Sequence, residues 1–267
     1  MVARLATALI AAALLAPPAL AAASERGASA ASGAPAGARL VSCHRSPLLA
    51  ARVAVVGTWM RPVATGRRLA VRLDLWQRLP GARWTQRGDV PGLGAWISPS
   101  DPQLGSRPAD VFKYRQSVGR LAVPASYRFR VSFRWSDAAG AVVRQTAVTT
   151  AACREPDLRP DLVLGDVQAA PSPRGGALVR YDVTVRNAGR SPTPRSVVAA
   201  TLPGDATPNA RRRAVPRLQP GDSTVVSFTG PGCAAGAAPA SFVVDPANAL
   251  EEADESNNEV AATCPAP

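Results

Sequence analysis

The sequence predicts an all-β chain built as two consecutive antiparallel β-sandwiches. Three observations carry this. Apolar residues recur with period two in several segments, turn-forming Gly, Pro, Asn and Asp separate those segments, and helical periodicity is absent outside the first residues. Four cysteines, Cys43, Cys153, Cys233 and Cys264, are placed so that each predicted sandwich holds two.

Residues 1–23 read as a signal peptide. Arg4 supplies a positive start, Leu5–Leu15 is apolar apart from Thr7, and Ala19-Leu20-Ala21 fits a small-residue cleavage site. The run is too short for a membrane span, which needs about 20 apolar residues. No second such run follows, so the mature chain is expected to be secreted or envelope-associated, without an integral membrane segment. Residues 24–38 are nearly all Ala, Ser and Gly and read as a flexible linker, because they lack the large apolar groups that offset ordering entropy. Gly and Pro together make 47 of 267 residues, too few for a disordered chain. The remainder is expected to fold as a domain over 39–155 and a second over 156–267.

In the first domain, Tyr127, Phe129, Val131, Phe133 and Trp135 alternate with Arg128, Arg130, Ser132 and Arg134, which predicts a strand with one buried face. Asp137–Gly140 supplies a turn, and Val142–Thr150 the returning strand. Leu69, Val71, Leu73 and Leu75 alternate with Arg72, Asp74 and Trp76 in another, and Val53–Met60 is a third. Arg83–Ala109 is rich in Pro and Gly and reads as loops around short edge strands. Short strands with frequent turns are those of an Ig-like sandwich. Pro156 and Pro160 mark a connector. In the second domain, Leu162–Val167, Val179–Val185, Val197–Leu202, Thr224–Thr229, Ser241–Val244 and Val260–Thr263 are strand segments. Arg211-Arg212-Arg213 reads as an exposed loop.

Four motifs of this second half follow in order: Pro160-Asp161-Leu162, Val183-Thr184-Val185-Arg186-Asn187-Ala188-Gly189, Leu218-Gln219-Pro220-Gly221-Asp222-Ser223, and the acidic run Asp245–Asn258. Together they resemble the CARDB module, the cell adhesion related domain found in bacteria, over roughly Pro160–Cys264. The resemblance implies an Ig-like sandwich of about seven strands on an extracellular protein, accessory to other parts and without catalytic activity. The first domain is only generically Ig-like.

Four cysteines allow three pairings. Their spacing favours Cys43–Cys153 and Cys233–Cys264, one disulfide per domain, as suits an exported chain. No C-x-x-C is present, which argues against zinc or thioredoxin-like chemistry.

Charge divides the chain. Residues 41–153 carry 17 basic and 5 acidic side chains, a net +12, whereas 156–267 carry 10 and 12, a net −2. Only Lys113 is a lysine among the 31 basic residues. That arginine bias, with abundant Ala, is also what a GC-rich bacterial coding sequence produces. If Arg68–Trp76 and Arg120–Trp135 pair in one sheet, Arg68, Arg72, Trp76, Arg128, Arg130 and Arg134 share its outer surface. Arginine forks and an aromatic plane suit an anionic cell-wall polymer or an acidic extracellular protein; the bland alternative is a solvated basic face. Trp59 and Trp135 fall on apolar phases and read as core, and Trp84 and Trp96 as cover for a sandwich edge, with the lining of a glycan site as the alternative.

The acidic run has two readings. Asp245, Asn248, Glu251, Glu252, Asp254, Glu255 and Asn257 offer oxygens for Ca2+, which takes six to eight ligands, although the EF-hand order is absent. Otherwise the run is a shaped hairpin connection. No other cofactor is suggested. The single histidine, His44, has no nucleophile motif beside it, and catalytic residues are assigned to none. The favoured function is a secreted, non-catalytic binding or adhesion module, with an assembly component of a secreted complex as the alternative and an extracellular enzyme a remote one. Nucleic acid is not expected as a partner.

Overall fold

The computed structural model describes residues 33–174, 178–232 and 238–262, and the described residues from Pro35 onward belong to one unit. The leader, most of the linker, and both Cys233 and Cys264 lie outside the described residues, so the expected second disulfide does too.

The first sandwich comprises β1 (Ala36–His44), β2 (Val53–Met60), β3 (Arg68–Arg78), β4 (Thr85–Arg87), β5 (Trp96–Ile97), β6 (Phe112–Gly119), β7 (Ala125–Ser136), β8 (Val142–Thr149) and β9 (Cys153–Glu155). One sheet has the order β1-β2-β6. The other runs β4-β3-β7-β8, with β5 also on β3 and β9 also on β7. Every pairing is antiparallel. Period two then does the sorting: Leu69, Val71, Leu73 and Leu75 of β3, with Phe129, Val131, Phe133 and Trp135 of β7, meet Ala54, Val56 and Met60 of β2 in one core. Each large side chain so buried contributes roughly 1.5–3 kcal/mol. Trp135 is fully buried, and its Nε1 donates to the Arg61 carbonyl at 2.6 Å, so no polar cost offsets the burial. Cys43 of β1 and Cys153 of β9 form a disulfide across 110 residues. Closing a loop of that length adds about 5 kcal/mol in the chain-entropy account.

Two expectations need correction here. The first strand begins at Ala36, inside the segment read as linker to residue 38. Trp59 is not core. In β2 the inward phase is Ala54, Val56, Thr58 and Met60, so Trp59 turns outward and lies across Gly37, where an added Cβ would sit 2.0 Å from its ring. Because β2 is apolar on both faces, its phase is not legible from hydrophobicity alone. The missing side chain at residue 37 lets β1 start there.

The second sandwich comprises β10 (Leu162–Pro171), β11 (Leu178–Asn187), β12 (Ser196–Thr201), β13 (Arg211–Val215), β14 (Ser223–Pro231), β15 (Ser241–Val244) and β16 (Glu259–Ala261). Its sheets are β10-β11-β14 and β13-β12-β15-β16. Tyr181, Phe228 and Phe242 centre the core, with Phe242 5.9 Å from the Tyr181 ring and 5.5 Å from the Phe228 ring. Arg211–Arg213, read as a loop, instead open the edge strand β13. Arg211 is held there by Asp205 at 2.9 Å and by the Thr229 carbonyl at 2.9 Å, and Arg213 lies over the Phe228 ring at 5.6 Å. Those tertiary partners make a strand out of a charged tripeptide.

Asn187 ends β11 fully buried and uses its whole capacity. Its Oδ1 accepts from the Asp161 and Gly189 amides, and its Nδ2 donates to the Ser191 and Leu218 carbonyls. This knot closes one end of the sandwich onto the connector. Gly189 is required beside it, since a Cβ there would come within 2.5 Å of Arg159 and Pro160 backbone atoms.

Candidate functional site

The register of β3 and β7 places Trp76 opposite Arg128, Asp74 opposite Arg130, Arg72 opposite Ser132 and Ala70 opposite Arg134. Alternation therefore puts Arg68, Arg72, Trp76, Arg128, Arg130 and Arg134 on one outward face, and Arg78 continues the row. Of the six, only Arg68 and Arg130 are exposed; the others are half-buried.

The reason is the Pro/Gly-rich stretch. β5 hydrogen-bonds to β3 with Trp96 opposite Arg72, and β4 does so with Gln86 opposite Trp76. Trp96 then stacks on Arg134, its ring centre 4.2 Å from the guanidinium carbon. Trp84 stacks likewise on Arg128 at 4.2 Å and lies 5.0 Å from Arg78. The two tryptophans thus lie on the arginine face and do not cover a sandwich edge, because their strand and its approach share the outward phase of β3. Each such stack is worth about 0.5–2 kcal/mol. Trp76 is not an open platform either; its Nε1 and the Nε of Arg128 opposite are both buried without an acceptor.

Counter-charge on this face is scarce. Asp74 is buried and accepts two bonds from Arg72, at 3.1 and 3.0 Å, and one from Gln86 at 3.2 Å. Among the described residues, Arg68, Arg78, Arg128, Arg130 and Arg134 have no carboxylate within 4.0 Å. Like charges on adjacent strands repel; here Arg78, Arg128 and Arg134 stack on tryptophan rings, Arg72 pairs with Asp74, and Arg68 and Arg130 are left to solvent.

Arg78 also borders a cleft of about 690 Å3 at the end of the sandwich, lined among others by Arg45, Leu79, Ser126, Arg154 and Glu155. Leu79 is 52% exposed there, and Arg45 Nε donates to the Arg154 carbonyl at 3.0 Å. Arg45, Leu79 and Arg154 were not legible as site residues in the sequence; each is ordinary by itself, and only the meeting of chain ends assembles them. Glu155 is 1% exposed, its Oε1 3.2 Å from Cys153 Sγ and its Oε2 without a partner. Burial pushes its carboxyl above the usual range, opposed by the charges of Arg45, Arg52 and His44. His44 ends β1, exposed.

The acidic run joins β15 to β16, whose pairing sets Phe242 opposite Val260. Asp245 and Asn248 each take a positive φ of 46°, which short polar side chains tolerate. Asp245 Oδ2 accepts the Leu250 amide at 2.8 Å, and Asp254 Oδ1 accepts both the amide and hydroxyl of Ser256. Glu255 accepts the Glu252 amide and the Asn258 side chain, and Asn257 Nδ2 donates to Asp161 at 3.0 Å. Glu251 accepts from Arg52 of the first sandwich at 3.2 Å. Glu252 is fully buried and accepts the Leu162 amide at 2.5 Å and Asn258 Nδ2 at 2.9 Å. Its carboxyl is pushed up to about 7 by burial, with the Glu255 and Asp245 charges adding to the rise against those two donors. Among the described residues no three carboxylates of the run bring oxygens within 4.8 Å of one another; the one such group is Cys43, Cys153 and Glu155.

The model of the CARDB family matches residues 159–262, the span of β10–β16 with the acidic run. No curated protein matches the chain. Among solved structures, one similar chain comes from a study of a chaperone–tip adhesin complex in CFA/I fimbriae biogenesis, at 8% identity over 74% of this chain and 94% of that one, TM-score 0.26. A chicken TCR matches at 12% identity over 73% and 89%, TM-score 0.23. The class 5 fimbriae chaperone CfaA matches at 9% over 86% and 100%, TM-score 0.24. Likenesses of this depth carry no argument about function.

Proposed function

We propose that the chain is an exported, non-catalytic binding module of the cell surface, whose first sandwich engages an anionic wall polymer or an acidic protein. The CARDB-type sandwich acts beside it as a spacer or interaction unit. One observation carries this reading: five arginines of one face and its end, Arg68, Arg78, Arg128, Arg130 and Arg134, have no carboxylate within 4.0 Å among the described residues. A protein surface that leaves so many cations without partners attracts a polyanion. The disulfide and the adhesion-related module support an extracellular location, and no helix among the described residues is long and apolar enough to cross a membrane.

The test is binding of the chain without its leader to a purified polyanionic wall polymer at rising salt. Exposed charges interact through a screening length that shrinks from about 10 Å at 0.1 M to about 3 Å at 1 M. Affinity is expected to fall steeply over that range, and Arg68→Ala with Arg130→Ala to weaken it at least about tenfold at 0.1 M. Salt-insensitive binding, or a double variant that binds like the parent, overturns the reading.

The assembly alternative has its own support. β8 is an edge strand with Val142 54% and Val143 40% exposed, a surface able to pair with another chain. Its signature is association that survives high salt. The acidic run we read as a shaped connection, supported by the backbone amides and cations its carboxylates already serve. A rise in melting temperature at millimolar Ca2+ overturns that in favour of a cation site.

A further inference from the structure

The Cys43–Cys153 bond has an unusual neighbour. Glu155 Oε1 lies 3.2 Å from Cys153 Sγ and 3.8 Å from Cys43 Sγ, yet neither sulfur of a disulfide carries a proton to donate. Oε2 has no partner, and the side chain is 1% exposed. A buried carboxyl without donors is costly, and nothing in the core packing requires one at this position. The two cysteines also differ: Cys43 is half-buried, whereas Cys153 is 1% exposed. Glu155 and Arg154 line the cleft described above, which opens the neighbourhood to solvent.

We propose that this disulfide is a thiol-exchange site, at which Glu155 delivers the proton that releases Cys153. A thiolate of an external dithiol attacks the Sγ of Cys43, the less buried residue of the pair. The reagent–Cys43 bond forms, the Cys43–Cys153 bond breaks, and its electron pair goes to Cys153. A thiolate buried there is a poor leaving group, because burial disfavours its charge. The Glu155 carboxyl transfers its proton to Cys153 across the 3.2 Å contact. The reagent's second thiolate then attacks its own sulfur in the mixed disulfide, and Cys43 leaves and takes a proton from water. Overall, the dithiol is oxidised to a disulfide, the protein is reduced to two thiols, and Glu155 regains its proton from solvent.

The carboxylate left after transfer faces His44 and Arg45 from β1 and its end, Arg52 from the approach to β2, and Tyr127 from β7. The three basic groups stabilise it; burial opposes them and favours the acid form that begins the cycle. The bond joins β1 to β9, a three-residue strand that leads directly into the connector. Reduction therefore removes the covalent tie between β1 and the strand that feeds the second sandwich and leaves β9 held by its pairing with β7, which couples ambient thiols to the hold on that junction.

The experiment is reduction of the folded, oxidised chain by dithiothreitol, followed by alkylation and mass measurement, with rates divided by the dithiothreitol thiolate concentration at each pH. In the wild type the normalised rate is expected to fall as rising pH deprotonates Glu155. Glu155→Gln, which is nearly isosteric, is expected to slow reduction at least about tenfold at the acidic end of the profile and to flatten it. Glu155→Asp should restore part of the rate, and all chains should reduce alike in denaturant. A flat wild-type profile, or a Gln variant reduced as fast as the wild type or faster, overturns the proposal. The wild-type profile alone decides it if the variant does not fold.

Discussion

In the second sandwich the carboxylates of the Asp245–Asn258 run accept backbone amides, amide side chains or the guanidinium of Arg52. On the β3–β7 face of the first, arginines stand in a row with one buried aspartate among them and tryptophan rings against their planes. The ends are closed differently too. The first uses a disulfide and the buried Arg52, whose donors go to the Ser46 and Pro47 carbonyls and to Glu251. The second uses buried polar groups: Asn187, Thr193 and Glu252. Polar residues committed to backbone geometry define a shape and have little left for a ligand. Arg68 and Arg130, exposed and without a carboxylate within 4.0 Å among the described residues, keep their hydrogen-bond donors available, and this is why the first sandwich is the place to look for a partner.

The largest test of that contrast is Asn187→Ala. Removing a side chain that makes one buried and three part-buried bonds leaves the Asp161 and Gly189 amides and the Ser191 carbonyl short of a partner, each costing about 1–3 kcal/mol when unpaired, while the Leu218 carbonyl keeps the Thr193 amide. Water entering the gap recovers part of this, so denaturant unfolding should show a loss of about 3–5 kcal/mol. A loss under about 1 kcal/mol would mean that the knot does not close the sandwich.

Next in size is Glu252→Gln. The folded carboxyl titrates at about 7 against an ordinary 4.5, so between those values the folded state holds a proton the unfolded chain has lost. Stability from this group is therefore present below the lower value and declines as pH rises to the upper one, by at most about 3 kcal/mol. Asp157 and Asp205, held low by Arg159 and Arg211, work in the opposite direction and lose their contribution in acid. The difference in melting temperature between wild type and Glu252→Gln isolates the effect: the variant should gain on the wild type from pH 4.5 to 7. A constant difference refutes the assignment.

Trp84→Ala is expected to cost about 1 kcal/mol by releasing Arg128 and Arg78, and to leave the second sandwich's unfolding unchanged. Glu251→Gln should be smallest, at about 0–1 kcal/mol, because Glu251 is 41% exposed and Arg52 keeps its carbonyl partners. A double-mutant cycle with Arg52→Met measures that pair directly, and a coupling above about 2 kcal/mol would show it holding the two sandwiches more firmly than an exposed pair does.

How much could be read in advance follows from how local each signal is. The alternation in Arg68–Arg78 and Tyr127–Trp135 is contained within single strands, so buried and outward sets were legible residue by residue. The strands observed as Ser241–Val244 and Glu259–Ala261 were legible as neighbours because a turn-rich run joins them. Trp59 was misread since both faces of β2 are apolar, and Arg211–Arg213 because Asp205, Thr229 and Phe228 lie elsewhere in the chain. Glu252 stood out from its acidic neighbours in no local way; only the meeting with the Leu162 amide, 90 residues earlier, distinguishes it.

The sequence by itself determined the all-β class, the two-sandwich series, the CARDB-like second half and the common face of six candidate residues. These follow from period-two patterning and from motif order, which are properties of the chain taken in line. Tertiary structure alone decided which of those arginines remain open, where Trp84 and Trp96 rest, that Glu155 sits against the disulfide, and that the acidic run grips the connector. Each of these depends on a long-range contact between residues whose individual types are unremarkable, and such contacts form only when strands distant in sequence share an edge or an end.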